Sequence, residues 1–135
     1  MMNNNELQML RKALFLDIVE AAELVGSVSA RTWQRWEKGD INVPFDVEQK
    51  MRKLNHIHNK VFNLVLSESS EYCYKYYDYE QFTSRFGTSK LKWRLYQSVL
   101  SRLYQVFGDP VSVNYAPDDC SLYKYFEGIP KNGNS

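Results

Sequence analysis

Residues 29–38 constrain this chain more than any other stretch, because they carry two faces of opposite chemistry at helical spacing. At about 100° per residue, Arg31, Gln34, Arg35 and Lys38 share a narrow sector, at offsets of three, four and seven. Trp33 and Trp36 point the other way. A helix built like this must bury its two indoles against neighbouring helices and turn a long, donor-rich side outward. Ser29 is the expected N-cap and Gly39 the expected stop. Just upstream, Asp17 can cap a helix reaching Val25. Its Ile18, Ala21, Ala22 and Val25 share a face, and the alanines permit close approach of another helix. Gly26 ends that helix. Two helices crossing at a tight turn specify a helix-turn-helix over residues 17–39.

The outward face has the chemistry that major-groove readout requires. Arginine can grip O6 and N7 of guanine with two bonds, and glutamine can do the same on N6 and N7 of adenine. Arg31, Gln34 and Arg35, with Ala30 beside them, are the base-reading candidates. Lys38, at the far end, suits a phosphate. Ser27, Ser29, Thr32 and Asn42 are candidate phosphate donors that fix the docking register. The competing reading of such a face is plain solvation. Against it stand the small residues of the preceding helix, the Gly26 turn, the serine cap and the confinement of tryptophan to one side.

The rest of the chain reads as follows. Leu7, Leu10 and Leu14 recur at helical spacing, with Asn5 as a candidate cap. Pro44 suits a first helical turn, with Asp46 and Glu48 complementing the helix dipole. From there Val47, Met51, Leu54, Val61, Phe62 and Val65 form one apolar stripe to about Ser67. Aromatic residues then crowd in, and the alternating residues 72–77 read as a strand. A short helix over residues 78–86 is closed by Gly87. A longer one follows from about Leu91, in which Leu95, Tyr96, Val99, Leu100, Leu103, Tyr104 and Phe107 repeat at three and four. Residues 111–115 read as another short strand, and residues 117–119 and 131–135 as loop and frayed tail.

The expected fold class is therefore mainly α with a small β component. Residues 1–67 form a four-helix helix-turn-helix DNA-binding domain, and residues 68–135 a small α+β dimerisation region with a C-terminal tail. Tyr72, Tyr74 and Tyr76 are the candidate dimer contacts. Such a tyrosine strand could also stack single-stranded RNA bases, but it more often builds a core or pairs across a dimer.

Charge does not decide function at the level of the whole chain: 17 basic and 16 acidic residues leave a formal charge of +1. Nucleic-acid affinity must come from local placement. Lys50, Arg52, Lys53 and Lys60 are a second basic cluster, able to touch phosphate or simply to keep a helix solvated. His56 and His58 resemble a metal pair on paper, but two positions apart on a helix they project about 200° from each other. Cys73 and Cys120 have no partners at ligand spacing and are too few for a disulfide scaffold. Asp118 and Asp119 lack a neighbouring base, nucleophile or phosphate-cradling loop. The expectation is a non-enzyme that uses no cofactor and no metal. No stretch approaches the ~20 apolar residues of a membrane helix, and no secretion signal is evident. A soluble protein of the cytoplasm is expected.

The residues 29–37, SARTWQRWE, followed by Val43-Pro44 and by Asp46-Val47-Glu48-Gln49, resemble the anti-CRISPR-associated autorepressors of the second type. The similarity begins at Glu6-Leu7-Gln8, continues through Leu16-Asp17 and Glu20-Ala21-Ala22-Glu23, and resumes at Trp93-Arg94-Leu95 and Gln97-Ser98-Val99. It spans roughly residues 5–104. The resemblance implies a homodimer that binds an inverted-repeat operator on double-stranded DNA in a phage-infected bacterial cell and represses its own anti-CRISPR operon. Arg31, Gln34 and position 35 would lie on the base-reading face, and the operon's own mRNA is admitted as a further partner. The chain departs from the familiar repressor pattern by one extra residue in the Gly26-Ser27-Val28 turn, and from the family by Arg rather than an aromatic residue at 35. A protein-interaction module such as an antitoxin is the alternative, its cue being the unmatched tail from Pro110 onward.

Overall fold

The computed structural model describes residues 1–67, 75–108 and 121–126. The chain divides into two compact units, Met1–His56 and Ile57–Ser135.

In the first unit, helix α1 spans Asn4–Ala13. Its cap is Asn3 rather than Asn5. The Asn3 side chain accepts from the Glu6 amide at 2.8 Å, and the Glu6 carboxylate accepts in return from the Asn3 amide. Asn5, with Gln8 three residues on, offers the same pattern in the sequence, but the helix starts two residues earlier and Asn5 lies within its first turn. Asp17 and Glu20 form the same box at the start of α2, which covers Ile18–Ala21 and continues into a wider π-helical turn over Ala22–Gly26. This wider turn houses the lengthened connection, with the Val28 amide donating to the Ala22 carbonyl. Ser27, not Gly26, takes the left-handed conformation, at φ 53°. Gly26 is small for a different reason: a Cβ there would lie 3.1 Å from the Trp33 ring.

Helix α3 covers Ala30–Lys38, capped by Ser29 and stopped by Gly39 at φ 83°. Helix α4 runs over Phe45–Ser67, and its buried stripe Val47, Met51, Leu54, Val61, Phe62 and Val65 matches the spacing read from the sequence. The boundary between the units falls within this helix.

In the second unit, α5 (Tyr79–Phe86) is capped by Asp78 with Gln81, and α6 (Lys90–Phe107) by Ser89. A 3-10 turn over Ser121–Phe126 completes the described part. Phe82, Tyr96, Leu122 and Phe126 are buried together with Tyr77, and Phe86 stacks on Tyr123 at 3.8 Å between ring centroids. The expected tail thus contributes Leu122 and Phe126, four residues apart, to the core of this unit.

The expected β component is corrected here: the described residues contain helices and turns and no strand. Residues 75–77 carry no regular secondary structure and pair with no strand among the described residues. The Tyr96 hydroxyl donates to the Lys75 carbonyl at 2.6 Å, and the Trp93 indole donates to the Tyr77 carbonyl at 3.0 Å. Side chains of α6 thus satisfy backbone groups that a ladder would otherwise have to pair. Over its described residues, 75–77, the aromatic run packs against a helix rather than into a sheet. Tyr72, Tyr74 and residues 111–115 lie outside the described residues.

Candidate nucleic-acid interface

The site is α3 and its flanks. Trp33 and Trp36 are buried, at 0% and 4% exposure, with their rings edge to face at 5.4 Å. Burying two indoles contributes several kcal/mol of apolar stabilisation, and it leaves Arg31, Gln34, Arg35 and Lys38 exposed on the opposite sector. None of these three cations has a carboxylate or ring partner among the described residues. They are held out in water, available to an anion.

The other candidate contacts sort by position. Ser27 and Ser29 are exposed just before α3, and Asn42 is exposed just after it. Ala30 and Thr32 are half-buried. The Ser29 hydroxyl accepts from the Thr32 amide at 3.2 Å and lies at the same distance from the Thr32 hydroxyl, so both side chains already serve the cap. Tyr76 is exposed, and its hydroxyl accepts from the Gln97 side-chain amide.

Sequence reading missed the residues that hold α3 in place. Glu37 is buried in the same unit, and its carboxylate receives three donors. Arg11 of α1 donates to it through Nε at 2.7 Å and Nη2 at 3.1 Å, and the Trp33 indole, one turn back on α3, donates as well. The remaining Arg11 nitrogen donates to the Leu16 carbonyl at 3.0 Å. Asn4 donates to the Glu37 carbonyl. A signal was present: Arg11 falls on the buried stripe between Leu7 and Leu14, where a charge has to have a partner.

The second basic cluster is largely engaged. Lys50 donates to the Val25 carbonyl, and Arg52 pairs with Glu48 at 3.0 Å and with Glu6. The Met2 amide, ahead of Arg52, holds the Glu48 carboxyl below its ordinary pKa. His56 is exposed, whereas His58 is buried with Nδ1 2.9 Å from the Ser98 hydroxyl. Burial, helped by the positive charge of Arg102, pushes the His58 pKa down to about 4.

Residues 2–111 match the family model described as Aca2/YdiL-like. The chain belongs to this family. Among its curated relatives is the Aca2 repressor of Pectobacterium phage ZF40, 39% identical over 108 residues, which cover 76% of this chain and 93% of that protein. The resemblance read from residues 5–104 is to this Aca2/YdiL-like family, and the matched span takes in both the α3 face and the buried residues of α6. Among the described residues no helix is long and apolar enough to cross a membrane.

Proposed function

We propose that this chain is a transcriptional repressor that binds double-stranded DNA, inserting α3 into the major groove. A relative named a repressor supports the general role. The observation that carries the mechanism is the exposed sector of Arg31, Gln34, Arg35 and Lys38, backed by buried Trp33 and Trp36. In this reading Arg31, Gln34 and Arg35 contact base edges with Ala30 close to the groove floor. Lys38, Ser27, Ser29, Thr32 and Asn42 contact phosphates. Residues 1–67 supply DNA binding. Residues 68–135, with Tyr72, Tyr74 and Tyr76, supply the homodimer contact, so that two copies of α3 meet half-sites about one helical turn apart on an inverted repeat. The protein acts in the cytoplasm of the bacterial host and represses its own operon.

Selection of bound duplexes from a random pool with the full chain tests this. The expected product is an inverted repeat with half-sites spaced by about ten base pairs. Recovery of no sequence preference would overturn the reading. The alternative, a protein-interaction module, would instead show as co-purification of a partner protein; within the tail that is its cue, Leu122 and Phe126 are buried.

A further inference from the structure

We propose that Arg11 and Glu37 form a positioning pair for base reading: by fixing how α3 is oriented on α1 and on the α1–α2 turn, they set which bases the exposed face can accept. This rests on the reading of α3 as the base-reading helix.

Base readout is demanding, because a hydrogen bond tolerates only a few tenths of an ångström and a functional group must be held within about 0.5 Å and 10–20°. Hydrophobic burial of Trp33 and Trp36 draws α3 onto its neighbours, but that force has no direction. The fork between Arg11 and Glu37 does. Two parallel N–H···O bonds at 2.7 and 3.1 Å accept one relative orientation of guanidinium and carboxylate. Both groups are themselves fixed. The third Arg11 nitrogen holds the Leu16 carbonyl, at the turn where Phe15 adopts a left-handed φ of 65°. The Glu37 carboxylate also receives the Trp33 indole, and its backbone carbonyl receives Asn4. One knot thus ties the start of α1, the α1–α2 turn and the last turn of α3.

Stability alone is a weak reason for such a pair. At 8% and 9% exposure the two charges are removed from water, and desolvation of a buried ion pair commonly offsets its attraction. What the pair provides that apolar side chains would not is a defined angle.

The test uses the full chain, a duplex selected by the wild type, and an unrelated duplex of equal length at fixed salt. The readout is the ratio of the two affinities, with thermal unfolding measured in parallel. The double variant Arg11→Met/Glu37→Gln leaves no lone buried charge and keeps an acceptor for the Trp33 indole. It is expected to lower the ratio by about tenfold or more, the scale of one lost base contact, while non-specific affinity and its salt dependence stay unchanged. Arg11→Lys, which keeps the charge without the fork, should fall between the two. A folded double variant with a ratio within about twofold of wild type overturns the inference. If the double variant does not fold, the same ratio for Arg11→Lys decides. A wild-type chain that enriches no sequence overturns the DNA reading, and this inference with it. A selected site that Arg31→Ala loses but the pair variants keep overturns this inference alone.

Discussion

Helices α3 and α6 are both rich in basic residues, yet they use them in opposite ways. On α6, Arg94 lies over the Trp93 ring at 4.3 Å, Lys90 over Tyr79 at 5.4 Å and Lys92 over Tyr123 at 5.7 Å. Arg102 sits over Phe62 at 3.8 Å and also donates to Asn59. On α3, Arg31, Arg35 and Lys38 have no such partner among the described residues, and the two rings of that helix face the other way. A count of basic residues therefore does not locate a nucleic-acid surface. Availability does: a cation resting on a ring has already exchanged part of its hydration for packing, whereas a cation held out in water can exchange it for phosphate or a base.

The contrast can be broken from either side. The largest expected effect is in the second unit, where Phe126→Ala removes a fully buried ring from the aromatic cluster and should destabilise the chain by about 3–5 kcal/mol in denaturant unfolding. An unchanged unfolding midpoint would mean that the Ser121–Phe126 turn is no part of that core. Next, Arg31→Ala should weaken binding to a selected duplex by about 1–3 kcal/mol, with the unfolding midpoint unaltered because Arg31 is exposed. Loss of stability without loss of binding would reverse the roles assigned to the two helices.

The third prediction concerns pH. His58 in the folded chain titrates near 4, well below its ordinary 6.5. Between those values the unfolded chain takes up the proton and the folded one does not, so the stability due to neutral His58 is fully present above pH 6.5. It is lost as pH falls toward 4. Thermal unfolding of wild type should therefore shift downward over that window, and His58→Gln should flatten the shift. Equal pH dependence in both would remove His58 as the cause. The smallest expected effect is for Arg102→Ala, which takes one cation from a ring. It should cost about 0.5–1 kcal/mol of stability and leave DNA affinity unchanged. A drop in affinity would show that engaged cations of α6 also serve the ligand.

What the sequence disclosed was local. Ser29, Gly39 and Asp17 act within a few residues of where they stand, and the opposition of Trp33 and Trp36 to Arg31, Gln34 and Arg35 follows from helical geometry alone. What it hid was non-local. Arg11 and Glu37 are 26 residues apart, and nothing in periodicity states that two charges so far apart will meet. The tyrosine run misled for a related reason. Alternating aromatics fit a pleated sheet, but the donors to the Lys75 and Tyr77 carbonyls are Tyr96 and Trp93, from a helix further along the chain. Asn5 does not cap because the helix starts at Asn4, with Asn3 and Glu6 forming the box.

The central claim is that α3 reads base edges in the major groove, and interference by methylation of guanine N7 in a selected duplex tests it most directly. N7 is an acceptor that faces only that groove. The account predicts that wild-type protein is excluded from duplexes methylated at guanines in two clusters about one helical turn apart, and that Arg31→Ala loses this pattern. Equal binding of methylated and unmethylated duplexes by the wild type would contradict it.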